Sequence, residues 1–592
     1  MAAENDITPK PPTEKANNLR AGGLLSVAEG TRVNYFPGPV DGRWAPPDNQ
    51  MAVGPAYVVC CVNTTLAFYT KSGTKVFQQT FDGANGFFNG VATSNFIFDP
   101  KCFYDSISQR YFVLADDGAS PSGNGVVIAV SDDNNPNGTW YKYRFDTVYN
   151  GSWLDYPGFG FNKDAIVVTG NLFDGNGGGI EALVIKKAPL LTGGTSTVTV
   201  FNDPNTFTCQ PTRTTDGTLD KVFGVASGGG NAIRLFAFTS LTGTPVLKSV
   251  DVPVPNYSRP VGPAHSLNNL IDALDGRQMT ANYRFGRVVA AHTIGNGSVN
   301  AVRWYDFNMN SWPTSGSPSL KQSGTISQAN TDIHMPAINM NAFEDITVFY
   351  TRSSTSIAAD LCVSSRKKSD PLGQIGQPVK LFGSPSGGYG GRWGDYFANE
   401  IDPIDDATFW GFGMGVAGGA YTTQVLSWQV TTGGVVGNPI PADSITTYVG
   451  AYLTGDQTSV WTNDNIVYQA GSIGIPQFGQ AAGVEADFTA PSDITDISIN
   501  FASNGGVAGG TNMVWAYNWT TGNWDLIGSS PLAASGNASK VFSIQTSSVP
   551  KYIGPGGAVK IRLRGHFPIR PFNNTLPNPF TYKIDLLQIV VR

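Results

Sequence analysis

Tyr57-Val58-Val59-Cys60-Cys61-Val62 is echoed by Arg110-Tyr111-Phe112-Val113-Leu114-Ala115 and then by Ala165-Ile166-Val167-Val168-Thr169. The series continues through Lys221-Val222-Phe223-Gly224-Val225, Arg287-Val288-Val289-Ala290-Ala291, Ile346-Thr347-Val348-Phe349-Tyr350 and Thr408-Phe409-Trp410-Gly411-Phe412. β-Branched and aromatic residues dominate, and turn residues bound each run, so each reads as a strand. A further strand follows, as in Val126-Val127-Ile128-Ala129-Val130, Ile233–Phe238 and Ala301–Phe307. A polar residue opens each unit: Asp48, Asp99, Asp155, Gln210, Gln278, His334 and Asp395, at intervals of 51 to 68 residues. Small antiparallel sheets repeated at such a period predict a propeller, because a lone sheet of this size cannot cover both its faces. The expected fold is all-β: a seven-bladed β-propeller over 23–430. Leu24–Val27 or Val33–Phe36 is expected to close the ring as a strand of the last blade.

Outside the repeat, residues 1–22 are polar and Pro-containing and read as an N-terminal arm. Residues 431–443 (TTGGVVGNPIPAD) read as a linker. Alternating strands fill 444–592, among them Val484–Phe488, Ile497–Phe501, Val559–Leu563 and Tyr582–Val591, and predict a jelly-roll-like β-sandwich. Ser266–Leu274 is the best short helix, with an apolar loop as the equal alternative.

Composition supports this and excludes other classes. The chain has 592 residues, 14% of them charged, 70 glycines and 11% aromatics. That is unlike a coiled coil or a charged disordered chain. A net charge of −6 argues against a nucleic-acid footprint, and no apolar run reaches membrane-spanning length. The first residues lack the pattern of a signal peptide. The chain is read either as cytosolic or, by preference, as a mature extracellular or cell-surface protein. Five scattered cysteines, Cys60, Cys61, Cys102, Cys209 and Cys362, read as small buried side chains, with a Cys102 bridge to Cys60 or Cys61 as the alternative.

Pro47–Pro55, Phe98-Asp99-Pro100-Lys101, Asp155-Tyr156-Pro157-Gly158 and Arg392-Trp393-Gly394-Asp395-Tyr396 resemble secreted bacterial propellers of the sialidase-like, Asp-box-bearing type, often fused to C-terminal sandwich modules. Ser131–Trp140 looks like a stretched Asp-box, whose Trp the resemblance places between blades. The resemblance implies the fold but not sialidase chemistry. Tyr283-Arg284-Phe285-Gly286 lacks the Ile-Pro that follows the arginine in the family's substrate-binding motif.

Propeller ligands sit at the channel mouth, so Asp48, Asp99, Asp155, Gln210, His334 and Asp395, with Arg392 and Tyr396, are the ligand-binding candidates. Three readings compete. Carboxylate and amide oxygens could hold Ca²⁺, with Asp155 and Asp395 as the metal candidates. Two carboxylates, or Tyr396 or His334 beside Arg392, could run a polysaccharide hydrolase or lyase. Trp153, Trp393, Trp519 and Trp524 could stack on sugars in a glycan- or protein-binding module, the preferred reading. Self-assembly into an oligomer through the arm and sandwich edges is a further class. The structural alternative is that the aspartates cap turns and the tryptophans fill gaps between blades. No P-loop, GxGxxG-helix, GxSxG or HExxH string occurs, so no nucleotide, haem or zinc is expected. His292 reads as a satisfied core residue and Arg366-Lys367-Lys368 as a solvated charge run.

Overall fold

The computed structural model describes residues 29–591, apart from 121–122, 148–150, 175–177, 384–388, 390, 418, 432–437, 461–466, 476–478, 491–493, 495–496, 508, 535–537, 545 and 569–576. The expected arm and the Leu24–Val27 alternative lie outside the described residues. So do residues 432–437 of the expected linker.

Seven sheets follow one another along the chain, antiparallel save that Arg213–Thr214 adds in parallel at the inner edge of the fifth. Their innermost strands are Gln50–Val53, Ile97–Asp105, Trp153–Phe161, Gln210–Pro211, Gln278–Arg284, Asp332–Met340 and Ala398–Ile401, in blades 1 to 7. Each apolar run that signalled the repeat is the second strand of its blade. The ring closes where Glu29–Pro37 pairs antiparallel with Ala420–Thr431, giving blade 7 its fourth, outermost strand. Val33–Phe36 is therefore the closing segment.

What holds the ring together is its flanks. Among the described residues, seven separate apolar cores each join one blade to the next, blade 7 to blade 1 included. Between blades 2 and 3, Phe103 stacks on Phe112 and Phe161 at 4.9 and 4.3 Å. Burying each such ring contributes about 1.5–3 kcal/mol. Trp140, at the end of the Ser131–Trp140 turn, packs on Phe68 and Phe87 of blade 1. The five cysteines are free and buried, so Cys102 makes no bridge.

A recurrent bulge shapes the inner strands. In blade 2, Phe98 pairs with Asp116 and Lys101 with Leu114, which leaves Asp99 and Pro100 opposite a single residue. Blades 3 and 6 repeat this at Tyr156-Pro157 and Met335-Pro336. The residue before each proline is left-handed, with φ of 49° at Asp99, 59° at Tyr156 and 54° at Met335. Proline suits the bulge because it has no N–H to leave unpaired.

Beyond the ring, two six-stranded sheets share one apolar core that includes Phe488, Phe501, Ile561 and Tyr582. Asn438–Pro441, expected as linker, pairs instead with Thr581–Val591, and Ile440 packs on that core. Ser266–Leu274 is not helical. Ala264–Ser266 and Asn269–Ile271 form a hairpin, since this short segment buries Ala264 and Ile271 against blades 6 and 7. Arg366 is not solvated either. It is buried, and its guanidinium donates to the carbonyls of Asp370 and Gln374 at 2.7 and 3.0 Å. No helix among the described residues is long and apolar enough to cross a membrane.

Candidate functional site

The inner strands all run the same way along the axis, so their N-terminal ends form one mouth of the channel. Asp48, Asp99, Asp155, Asp395, Arg392 and Tyr396 are brought together there. Asn63 ties blades 1 and 2. Its amide donates to Asp48 Oδ2 at 2.5 Å, and its carbonyl accepts from the Asp99 N–H at 2.7 Å. The Asp395 N–H donates to Asp48 Oδ1 at 2.8 Å, which ties blade 7 to blade 1. Two tyrosines cross the axis: Tyr156 donates to the Asp395 carbonyl at 3.0 Å and Tyr396 to the Pro100 carbonyl at 3.1 Å.

Charge is concentrated and only partly matched. Arg392 bonds both oxygens of Asp395, at 2.7 and 2.6 Å, and lies 3.4 Å from Asp272. Arg277 pairs with Asp275 and stacks 4.2 Å over Tyr156. Lys101 is buried, with its ammonium 2.9 Å from the Tyr396 ring centroid. Burial drives its pKa well down, with Asp99 opposing. Burial also raises the carboxyls of Asp48, Asp99 and Asp155, and Asp155 raises Asp99 further.

One member was not anticipated. Asp116, at the end of blade 2's second strand, has no exposed surface, and neither of its oxygens has a hydrogen-bond partner. It stands with Asp99 and Asp155, one carboxylate oxygen from each lying within 4.8 Å of the others. Burial, then Asp155, pushes its pKa well up. The sequence signal was slight: an acidic pair, Asp116-Asp117, closing an apolar strand.

The remaining candidates separate. Gln210 sits two residues after the left-handed Thr208, a step further down the axis. It lines the channel with Gln50, Lys101 and Arg213. His334 is sealed with neither ring nitrogen bonded, and burial lowers its pKa to about 4, so it is neutral. His292 is satisfied by the Gly276 carbonyl and the Tyr305 hydroxyl, at 2.8 and 3.0 Å.

The tryptophans fare differently. Trp393 is fully buried, with its indole N–H on Thr351 Oγ1 at 3.0 Å, so it has no face to offer a sugar. Gly554 packs so tightly on Trp519 that a Cβ there would lie 2.3 Å from the ring. The Arg562 guanidinium sits 3.9 Å over Trp524 and covers one face. Trp153 is half-buried at the entry of blade 3 and continues into Phe173 at 5.6 Å and Phe207 at 6.3 Å beyond. Phe207 is 45% exposed, and Arg277 spans from it to Tyr156. An aromatic rim thus leads to the carboxylates.

At the C-terminal ends of the inner strands lies a cavity of about 180 Å³ lined by Tyr104, Arg213, Asn282, Arg284, Glu400 and Asp406 among others. Here the cations are matched, Arg213 with Glu400 and Arg284 with Asp406. Burial, opposed by Arg213, pushes the Glu400 carboxyl up to about 7.

No protein-family model matches the chain, and no curated protein does. Among solved structures it is similar to an exo-beta-1,3-galactanase from Phanerochaete chrysosporium, at 12% identity over 95% of this chain and 100% of that one, with a TM-score of 0.28. It is also similar to an ulvan lyase of polysaccharide lyase family PL25, at 11% identity over 64% and 93%, TM-score 0.36. A third is a xylan beta-1,4-xylosidase from Bacillus halodurans, at 9% identity over 85% and 99%, TM-score 0.26. Likenesses this remote leave the activity to be argued from the site. The chain itself is an all-β protein built on a seven-bladed propeller.

Proposed function

We propose that the protein binds a glycan at the acidic mouth of the propeller, with the chain of sugars lying along the rim of blades 3 and 4. The observation that carries this reading is the run from Trp153 through Phe173 and the exposed Phe207 to Arg277, Tyr156 and Asp155. Aromatic faces take the C–H faces of sugar rings, and carboxylates accept from hydroxyls. Arg392, 53% exposed, is placed to meet an acidic substituent. Asp48 and Tyr396 are walls of this site rather than contacts, since both are buried.

The same reading places the protein outside the cell, where polysaccharides are met, in keeping with its low charge. The Asp-box-like turn at Ser131–Trp140 makes a sialidase-like ancestry part of this proposal, as an architecture without the activity.

Isothermal titration against neutral, uronate-bearing and sulfated polysaccharides tests it. Trp153→Ala should weaken binding at least tenfold, about 1.4 kcal/mol, and Trp524→Ala should leave it unchanged. If Trp524→Ala abolishes binding and Trp153→Ala does not, the site is on the sandwich instead.

One observation favours catalysis as a second reading. Asp155 is partly exposed at the same mouth as the Arg392-held Asp395, so the two carboxyls could serve as acid and base on a bound sugar. Release of reducing ends or unsaturated products by the wild type, lost in both Asp155→Ala and Asp395→Ala, would establish that reading. Binding without turnover would remove it.

A further inference from the structure

We propose that Asp99, Asp116 and Asp155 form a binding site for one divalent hard cation, Ca²⁺ in particular, between blades 2 and 3 at the channel mouth. Three carboxylates on three different strands offer oxygens within 4.8 Å of one another. At Ca²⁺–oxygen distances of about 2.3–2.6 Å, one ion can touch all three. The ligand set is all oxygen, which suits a hard cation and not zinc.

A cluster of acids alone would say little; Asp116 says more. A buried polar group left without partners costs free energy unless something completes it. Its chain neighbour Asp117 is equally buried but accepts from the Thr93 and Ser94 N–H groups, both at 2.8 Å, and pairs with Arg144 at 2.6 Å. Asp116 has none of this and faces the other two carboxylates. The nearby cations do not fill the gap. Arg392 is engaged by Asp395 and Asp272, and Arg277 by Asp275. Lys101 makes no hydrogen bond to Asp116, and its ammonium sits over the Tyr396 ring. Asp155, the only half-exposed member, leaves room for water or a ligand oxygen on the channel side.

This moves the expected metal centre. Asp155 stays and Asp395 leaves, because its two oxygens are occupied by Arg392. The site does not depend on the glycan reading, and its test uses no glycan.

The full chain, stripped with a chelator and exchanged into chelator-free buffer, is titrated with CaCl2, MgCl2 and ZnCl2 by calorimetry, with melting temperature as a second readout. One Ca²⁺ per chain and a higher melting temperature are expected, with Mg²⁺ weaker and Zn²⁺ without effect. Asp116→Asn should weaken Ca²⁺ at least tenfold, while Asp395→Asn leaves it unchanged. Asp116→Asn keeps the side-chain shape and breaks no hydrogen bond, so it should fold. Asp99→Asn serves as the second variant. Absence of Ca²⁺ binding in the wild type overturns the proposal. So does unchanged binding in both Asp116→Asn and Asp99→Asn, or loss on Asp395→Asn alone.

Discussion

The two ends of the channel are made by the same strands, yet they handle charge in opposite ways. Where the strands end, Arg213 answers Glu400 and Arg284 answers Asp406, and the cavity is balanced within the chain. Where they begin, Asp99, Asp116 and Asp155 crowd together with a single buried lysine nearby. A buried group that the chain satisfies itself is part of the fold; one that it leaves unsatisfied points to something from outside. On the proposed reading, recognition belongs to the entry end and stability to the exit end.

The strongest challenge to the contrast is Arg213→Met. The Arg213 and Glu400 side chains are 18% and 13% exposed. Stranding Glu400 should cost about 3 kcal/mol at pH 9, read from urea unfolding, while near pH 7 its protonation limits the loss. A neutral result would mean the exit pair is not structural and the comparison fails.

Next comes pH. The Glu400 carboxyl sits at about 7, above its ordinary 4.5. A raised carboxyl stabilises the fold below the lower value, and that contribution is lost as pH rises through the higher one. Unfolding free energy should therefore fall by about 3 kcal/mol between pH 4.5 and 7 on this account. Glu400→Gln should flatten that slope, and a slope unchanged in the variant assigns the titration elsewhere. The smallest effect is Arg284→Met. Asp406 is 42% exposed, so the loss should stay below about 1 kcal/mol in the same measurement.

How much of this the sequence carried follows from what each residue needs. The blades were legible because an apolar run that covers two flanks recurs in units of 51 to 68 residues. Phe36 marked the closing strand, packing on Tyr69 and Trp410. The entry residues were legible as a set but not in phase. Asp99 occupies the left-handed position of the bulge, and Asp48 has a similar φ of 50° just before its strand, whereas Tyr156 and Met335 hold that position in blades 3 and 6. Asp155 and His334 therefore stand one residue before the left-handed position that Asp48 and Asp99 fill. Asp116 was invisible because nothing in Leu114-Ala115-Asp116-Asp117 says which acid has a partner. Gly42-Arg43-Trp44 and Gly391-Arg392-Trp393 read alike, yet Trp44 is 42% exposed and Trp393 is sealed. Burial depends on neighbours that come from distant parts of the chain, and composition does not report them.

Closure by Glu29–Pro37 has a cost in time. The Asn34 N–H finds its acceptor, Ser427, 393 residues later. During synthesis this strand leaves the ribosome before the rest of the ring, and its mate is among the last of the ring to emerge. At about 5–20 residues per second it waits some tens of seconds with its ladder groups unpaired. Over that interval its unpaired edge is a template for a neighbouring nascent chain.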